Sequence, residues 1–141
     1  MPTRTARASW APGEHGGGGQ IRSDGEALAA SYSFGSRFEN APGTNPEELL
    51  GAAHASCFNI AFALALTRQG HEPARLETAA EVTLEKQEDG FRISSVRLIT
   101  VGEVEGLSQE DFAQEAHRAK LGCPISKALA GTDIFLDAKL V

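Results

Sequence analysis

Two cysteines have the clearest capacity for chemistry in this 141-residue chain. Cys57 lies in the apolar stretch "HASCFNIAFALAL", and Cys123 lies in "GCPISKAL". The thiolate of a cysteine is a strong nucleophile and a metal ligand. The N-terminus has no apolar stretch typical of a secretory signal, and a reducing compartment disfavours a purely structural disulfide. The two thiols are therefore either inert core groups or redox groups.

Local sequence alone favours Cys123 as the more acidic thiol. Cys123 precedes Pro124, so it occupies the predicted N-cap of a short helix, where backbone N–H groups and the helix dipole lower a thiol pKa. Lys120 and Lys127 add positive charge nearby. Cys57 lies well past the first turn of its own helix, and burial among apolar groups raises a thiol pKa. Taken by themselves, its neighbours make Cys57 a small hydrophobic residue of a core helix.

A long helix must position Cys57. The segment "SRFENAPGTN" is predicted to be a loop, after which Thr44 or Asn45 caps the helix and Pro46 takes its first position. The apolar pattern continues to residue 68 or 69, and Gly70 is the predicted stop.

This helix lacks a polar stripe beyond its first turn. A helix that is apolar on all sides is a buried helix, and a short chain can hardly surround it alone. We therefore expect a second subunit to cover part of it. The apolar positions are Ala52, Ala53, Ala55, Cys57, Phe58, Ile60, Phe62, Leu64 and Leu66.

The remaining segments predict strands and two further helices. The expected strands span residues 3–10, 27–34, 74–87, 91–103 and 132–141, with a short strand near 20–23. Ser108 to Gly122 is an amphipathic helix, and "CPISKALAG" is a short one. The "HGGGG" stretch matches no phosphate-binding motif and is predicted to be a flexible hairpin tip. This order predicts one α+β domain over residues 1–141, with helices against antiparallel sheet.

Composition limits the classes of partner. Net charge is −6, with 41% hydrophobic and 23% charged residues. An acidic chain without a basic face does not fit a nucleic-acid-binding protein. The longest apolar run, around Cys57 to Leu66, is too short for a bilayer span. We expect a cytoplasmic protein with no membrane and no nucleic-acid partner. His15, His71 and His117 have no ligand spacing with the cysteines, so we expect no metal and no cofactor.

The motifs "SRFENAPGTNPEELLGAAHASCFNIAFALAL" and "GCPISKAL" together closely resemble the OsmC/Ohr family of thiol-dependent peroxidases. The resemblance covers nearly the whole chain. An arginine in "SRFE", just before "GTNPEEL", is similar to the OsmC branch, because in the Ohr branch the arginine comes from an earlier loop.

The resemblance implies a role for four residues. Cys57 would be the peroxidatic cysteine and Cys123 the resolving cysteine. Arg37 would hold the thiolate and polarise the peroxide, and Glu47 would orient Arg37. The family also implies an interlocked homodimer, an organic hydroperoxide or hydrogen peroxide as substrate, an external dithiol reductant, and a link to oxidative and osmotic stress. A guanidinium fits such a role because it stays charged and lowers the pKa of a nearby thiol.

Helix geometry predicts that the site is shared between subunits. Glu47 and Cys57 are ten positions apart on the same predicted helix, which separates them by about 15 Å at a rise of ~1.5 Å per residue. One arginine can hardly touch both within one chain. We therefore expect Arg37 and Glu47 to reach Cys57 of the partner subunit.

Other residues receive simpler interpretations. His54 is expected to pack or to form hydrogen bonds, and Glu48 to cap the helix. At each of Phe34, Phe38, Phe58 and Phe62, core packing is favoured over a substrate pocket. Two other functions stay open: a general thiol–disulfide exchange protein, which the lack of a CxxC motif disfavours, and a non-enzymatic stress protein or binder of small apolar ligands.

Overall fold

Three short strands near the N-terminus form an antiparallel sheet in the order β1-β2-β3. They are β1 (Ala6–Ala8), β2 (Gly18–Ser23) and β3 (Ala29–Ser33). The structure, a computed structural model, describes all residues from Met1 to Val141. The strands expected at residues 3–10 and 27–34 are present but shorter, and the strand expected near 20–23 begins earlier, at Gly18.

The glycine-rich stretch forms the connection between β1 and β2 and then enters the sheet. A single 3-10 turn spans Glu14–Gly16, and Gly17 has a φ of 96° that favours glycine. A Cβ atom at Gly19 would overlap the carbonyl oxygen of Ser9. The predicted hairpin tip is thus correct for Gly16 and Gly17. Gly18 and Gly19 instead lie in β2, where the close approach of neighbouring backbone requires glycine.

One short helix was absent from the sequence-based expectation. The helix α1 (Phe34–Phe38) begins at the end of the strand predicted over 27–34 and continues into the segment predicted as loop. The hydroxyl of Ser33 accepts from the backbone N–H of Ser36 at 2.9 Å, and the hydroxyl of Ser36 accepts from the N–H of Ser33 at 2.8 Å. This reciprocal capping box holds a single turn that a five-residue segment would not form by propensity alone.

The long helix α2 spans Pro46–Arg68, as predicted. Asn45 caps it, because the Asn45 side-chain oxygen accepts from the backbone N–H of Glu48 at 2.8 Å. Gly70 follows the last turn with a φ of 86°, which is typical of a residue that ends a helix. The chain divides into two compact units, residues 1–49 and 50–141, and the boundary falls within α2. The single domain over residues 1–141 stays a prediction.

Only one stripe of α2 is buried in the chain. The first two members are three positions apart and the others four apart, which is the spacing of one helix face. They are Gly51, His54, Phe58, Phe62 and Leu66. Ile60 and Leu64, on another face, are 64% and 50% exposed. The single chain thus leaves the second apolar face uncovered, as expected for a helix that a short chain cannot surround alone. Burial of that face by a second subunit stays a prediction.

Three longer strands form the second sheet, in the order β4-β5-β6. The strands β4 (Arg75–Gln87) and β5 (Gly90–Glu103) pair as the predicted antiparallel hairpin. The last strand, β6 (Asp133–Leu140), pairs with β5 in parallel. This sheet is therefore mixed, whereas the expectation was antiparallel throughout.

Helices explain the parallel pairing of β5 and β6. The chain leaves β5 and passes through α3 (Gln109–Gly122) and α4 (Pro124–Ala128) before β6 begins. A connection of this length can carry the chain back to the start of the sheet, so the next strand runs parallel to the one before. Ser108 caps α3 as predicted, since its hydroxyl accepts from the N–H of Asp111 at 3.1 Å.

An apolar core lies between α2, the second sheet and α3. Phe62 is central to it: its ring lies 5.4 Å from Phe58 and 5.0 Å from Phe112, both tilted. Strand β5 contributes Val96 and Leu98, each fully buried. Phe58 and Phe62 are thus core residues, as expected, and they anchor the part of α2 that carries Cys57.

By length and composition α2 also qualifies as a candidate membrane span. The apolar run near residues 57–66 was judged too short to span a bilayer, but the whole 23-residue helix is long and apolar enough to do so. A core helix of a soluble protein passes it as well, and α2 packs one face into a core. The absence of a membrane partner stays a prediction.

Replacing Phe62 by alanine should destabilise the protein by about 3–5 kcal/mol, because the deletion opens a cavity in a close-packed core. Equilibrium urea unfolding would measure the loss. The control is Leu121→Ala, since Leu121 is 60% exposed and should cost under about 0.5 kcal/mol. Equal losses for the two variants would contradict this assignment of the core.

Candidate active site

The fold brings the two cysteines into contact. Cys57 lies on α2, and Cys123 lies at the junction where α3 ends and α4 begins. Their sulfur atoms are 2.9 Å apart, and both thiols are free. A disulfide requires about 2.05 Å, so the sulfurs can bond after a small shift of either side chain. This arrangement is suited to reversible oxidation.

The two thiols differ in exposure. Cys123 is fully buried, while Cys57 is partly exposed. Cys57 opens on a groove of about 400 Å³ whose walls are mostly apolar. The lining residues are Ala53, Ser56, Cys57, Ile60, Ala61, Pro124 and Ile125. A small reagent can therefore reach Cys57 directly, and an apolar reagent can bury its surface beside it.

Hydrogen bonds make the two thiols unequal in acidity. Burial raises the pKa of Cys57, and the hydrogen bond with Cys123 raises it further, although the backbone N–H of Ile125 lowers it. Burial also raises the pKa of Cys123, but hydrogen bonds from Cys57, Ser126 and Ile125 outweigh it and leave that pKa below its ordinary value. The greater acidity of Cys123 agrees with the sequence-based expectation.

His54 and Ser126 extend this network into the core. Both are buried, and His54 Nε2 lies 2.8 Å from the Ser126 hydroxyl oxygen. Burial lowers the pKa of His54, which keeps the imidazole neutral. A hydrogen-bonding role for His54 was expected from the sequence, whereas Ser126 was missed. Its position could have been noticed in the sequence, because the third residue after an N-cap often folds its side chain back toward the cap.

Arg37 and Glu47 form an ion pair in the first unit. The guanidinium Nη2 and Nε atoms donate to Glu47 Oε1 at 2.6 and 3.1 Å, and Nε also lies 3.2 Å from Oε2. The Glu47 side chain is only 11% exposed and that of Arg37 is 34% exposed. Two close donors fix the plane of the guanidinium. The Arg37 head also lies 5.3 Å from the centre of the Phe38 ring.

The local chain holds this ion pair in place. The Ser36 hydroxyl donates to the Thr44 carbonyl at 2.6 Å, and the Asn45 side-chain amide donates to the Ser36 carbonyl at 3.1 Å. These bonds tie α1 to the start of α2, so the arginine at the end of one meets the carboxylate in the first turn of the other. The chain thus presents a fixed cation, while the action of Arg37 on Cys57 stays a prediction.

The other histidines are not part of a cluster. No group of three or more His, Cys, Asp or Glu side chains in the structure is arranged to hold a metal ion. Phe34 and Phe38 are 47% and 38% exposed, so neither is the core residue that the sequence favoured. Their ring centroids lie 4.9 Å apart with the planes tilted. Glu48 accepts from the Thr44 hydroxyl at 2.8 Å, consistent with its expected capping role.

These observations describe two free thiols in contact on an α+β scaffold. The sequence model described as OsmC-like protein matches residues 38–137. The chain is 38% identical over 138 residues to Peroxiredoxin OsmC of Escherichia coli K12, covering 97% of this chain and 96% of that one. The protein belongs to the OsmC family, and the predicted resemblance to its OsmC branch is confirmed.

Solved structures support the fold class. The organic hydroperoxide resistance protein OhrB of Bacillus subtilis superposes with a TM-score of 0.69 at 26% identity, covering 99% of this chain and 98% of that one. An OsmC-like protein of Vibrio cholerae reaches a TM-score of 0.80 at 19% identity, covering 98% and 99%. The predicted OsmC-like α+β fold is therefore confirmed.

Mild oxidation with diamide should convert Cys57 and Cys123 into an intrachain disulfide, because their sulfurs already touch. Mass spectrometry of a digest would identify the linked peptides. Non-reducing electrophoresis should show no covalent dimer in the wild type. Cys123→Ser is the matched control and should yield no intrachain bond. A linkage mainly between chains would contradict the observed pairing.

Proposed function

We propose that this protein is a thiol-dependent peroxidase that reduces organic hydroperoxides, and also hydrogen peroxide, to alcohols or water. The observation that carries the proposal is the contact of a partly exposed thiol in an apolar groove with a buried second thiol. That pairing lets one cysteine be oxidised by a small reagent and the other resolve the product. The named relatives, a peroxiredoxin and an organic hydroperoxide resistance protein, support the same chemistry.

The cycle consumes one hydroperoxide and one dithiol. The Cys57 thiolate attacks the terminal oxygen of ROOH, the O–O bond breaks, and the alkoxide takes a proton to leave as ROH. Cys57 is now a sulfenic acid. The Cys123 thiolate attacks its sulfur, the S–O bond breaks, and hydroxide leaves as water after protonation. An external dithiol then reduces the Cys57–Cys123 disulfide and is itself oxidised to a disulfide.

The site needs a cation, and Arg37 is the residue that we assign to it. Burial holds the pKa of Cys57 above its ordinary value, yet the nucleophile must be the thiolate. A guanidinium close to the sulfur favours the anion and can donate to the departing alkoxide. Glu47 orients the guanidinium through the close bonds described above. These roles are our assignment for the two residues.

We further propose that the functional unit is a homodimer in which Arg37 and Glu47 of the partner subunit complete the Cys57 site. Two features support this: the separation of about 15 Å along α2 between Glu47 and Cys57, and the exposed face with Ile60 and Leu64. A second copy would cover that face and end its contact with water. We place the protein in the cytoplasm, where external dithiols are kept reduced.

Reduced protein should lose two thiols per chain when mixed with cumene hydroperoxide, and more slowly with hydrogen peroxide, because the groove beside Cys57 is apolar. Stopped-flow fluorescence with thiol counting would follow both reactions. Cys57→Ser should abolish the reaction. Cys123→Ser should still react once and accumulate a trapped sulfenic acid. If neither peroxide oxidises the protein, the proposed peroxidase is refuted and the apolar-ligand binder gains support.

Mixing a slow variant with an inactive one should restore activity if the cation acts across the dimer. Arg37→Met should slow oxidation of Cys57 by about tenfold to a thousandfold at neutral pH, since a close opposite charge shifts a pKa by about 1–3 units. Cys57→Ser should be inactive. After denaturation and joint refolding, mixed dimers contain one site with Cys57 from the first chain and Arg37 from the second.

The restored peroxidase rate, measured against each variant refolded alone, decides the arrangement. Recovery of up to about half the wild-type rate per mixed dimer is expected, because one of its two sites is complete. Arg37→Lys retains the charge but not the two-pronged geometry, and should fall between wild type and Arg37→Met. Absence of recovery, with mixed dimers present by mass spectrometry, would place Arg37 beside Cys57 of its own chain.

A further inference from the structure

His54 and Ser126 are two buried polar residues that the proposed cycle does not use. His54 is fully buried on α2, and Ser126 is 7% exposed on α4. The Nε2 atom of His54 lies 2.8 Å from the Ser126 hydroxyl oxygen, while its Nδ1 atom has no hydrogen-bond partner. A buried polar pair that leaves one of its atoms unpaired calls for a reason.

The unpaired nitrogen indicates the direction of this hydrogen bond. If Nδ1 carried the proton, a buried N–H donor would have no acceptor and would cost its full desolvation. If Nε2 carries the proton, only a lone pair is left unpaired, which proteins tolerate better. Burial also lowers the pKa of His54 and keeps the imidazole neutral. The neutral ring therefore donates from Nε2 to the Ser126 oxygen.

This hydrogen bond joins the same two elements as the contact between the cysteines. His54 lies three positions before Cys57 on α2, and Ser126 lies three positions after Cys123, the N-cap of α4. Residues three apart on a helix have Cβ atoms about 5–6 Å apart, and the third residue after an N-cap lies beside the cap. The hydrogen bond and the 2.9 Å contact of the sulfur atoms are thus two neighbouring attachments of α4 to α2.

The short helix α4 depends on attachments of this kind. It has five residues, and the side chain of its N-cap residue makes no capping hydrogen bond. A helix of this length is unstable by itself, so contacts with the rest of the protein must hold it. Among the α4 side chains, that of Ser126 hydrogen-bonds to another element. The contact between the two sulfur atoms, taken alone, would leave α4 free to turn about it.

We propose that His54 and Ser126 are positioning residues that hold the start of α4 against α2, so that the two sulfur atoms face one another when the disulfide forms. The inference rests on the proposed role of Cys123 as the resolving cysteine. Two attachments one turn apart fix the orientation of α4 as well as its distance from α2. Holding two reacting atoms in contact converts their reaction into a fast intramolecular step. Loss of the hydrogen bond therefore slows disulfide formation and leaves access to Cys57 from the groove unchanged.

The test separates attack by Cys57 from attack by Cys123. Reduced full-length protein is mixed with dithiodipyridine, and the release of thiopyridone is followed by stopped-flow absorbance. In the first step the Cys57 thiolate bonds to one sulfur of the reagent, the reagent's S–S bond breaks, and one thiopyridone leaves. In the second step the Cys123 thiolate bonds to the Cys57 sulfur, and the other thiopyridone leaves. Cys123→Ser should release one thiopyridone per chain, which identifies the two steps.

Ser126→Ala should slow the second step by about tenfold to a hundredfold, since small displacements of reacting atoms cost this much, and should leave the first step unchanged. His54→Gln retains an N–H donor near the position of Nε2 and should keep most of the wild-type rate. His54→Asn places its amide near the position of Nδ1, out of reach of Ser126. It should slow the second step as Ser126→Ala does.

The matched control is Thr78→Val. It removes the 2.6 Å hydrogen bond from the Thr78 hydroxyl to Asn59, which joins α2 to β4 rather than to α4. It should slow the second step far less than Ser126→Ala. Equal slowing by these two variants, or an unchanged second step in Ser126→Ala, would overturn the proposal. Circular dichroism melting identifies variants that fail to fold, and His54→Asn removes the same bond if Ser126→Ala does not fold.

A repeat at about pH 10, where an ordinary thiol is largely ionised, separates position from acidity. A change in the pKa of Cys123 would no longer slow the second step at that pH, whereas a displaced sulfur atom still would. Recovery of the wild-type rate by Ser126→Ala at that pH would therefore contradict a positioning role. None of these steps involves a peroxide. The peroxidase can fail while the positioning stands, and an unaffected second step leaves the peroxidase intact.

Discussion

The contact between Cys57 and Cys123 is the interaction on which the rest of the C-terminal unit depends. A distance of 2.9 Å between sulfurs requires the backbones of α2 and α4 to be held to within a fraction of an ångström. The aromatic rings of α2 and α3, packed at 5.0 and 5.4 Å, provide that rigidity. Close-packed interiors transmit small displacements, so a change in the core also affects the contact between the two cysteines.

Burial creates an electrostatic problem at this contact. A thiol in apolar surroundings is protonated more readily, yet only the thiolate reacts. The chain resolves this for Cys123 with neutral hydrogen-bond donors from α4. For Cys57 it provides no equivalent set of donors, and the pKa stays raised. The guanidinium of Arg37, which Glu47 holds in place, is the cation that we propose for the Cys57 thiolate.

The exposed apolar face of α2 follows from the composition of that helix. A helix that places an apolar residue at nearly every position needs cover on all sides, and the single chain covers one stripe. The uncovered side chains of Ile60 and Leu64 lie on the helix that carries Cys57 and borders the groove. The face that we propose for a second copy and the groove that we propose for an apolar reagent thus lie on the same helix, and both roles favour apolar side chains.

The sequence by itself determined the secondary structure that local patterns encode. The cap at Thr44 or Asn45, the cap at Ser108, the stop at Gly70 and the alternation of β4 and β5 were all predicted, because each depends on residues within a few positions. The two cysteines and the Arg37–Glu47 motif were identified through family resemblance. The greater acidity of Cys123 followed from its place beside Pro124.

Only the tertiary structure decided what depends on distant residues. The parallel pairing of β6, the one-sided burial of α2 and the contact of Cys57 with Cys123 each join segments far apart in the chain, and local propensity has no information about them. The pairing of His54 with Ser126 is the clearest example, because the two residues lie 72 positions apart. A serine in a short helix gives no sign of a partner until packing buries both, and burial then makes their hydrogen bond necessary.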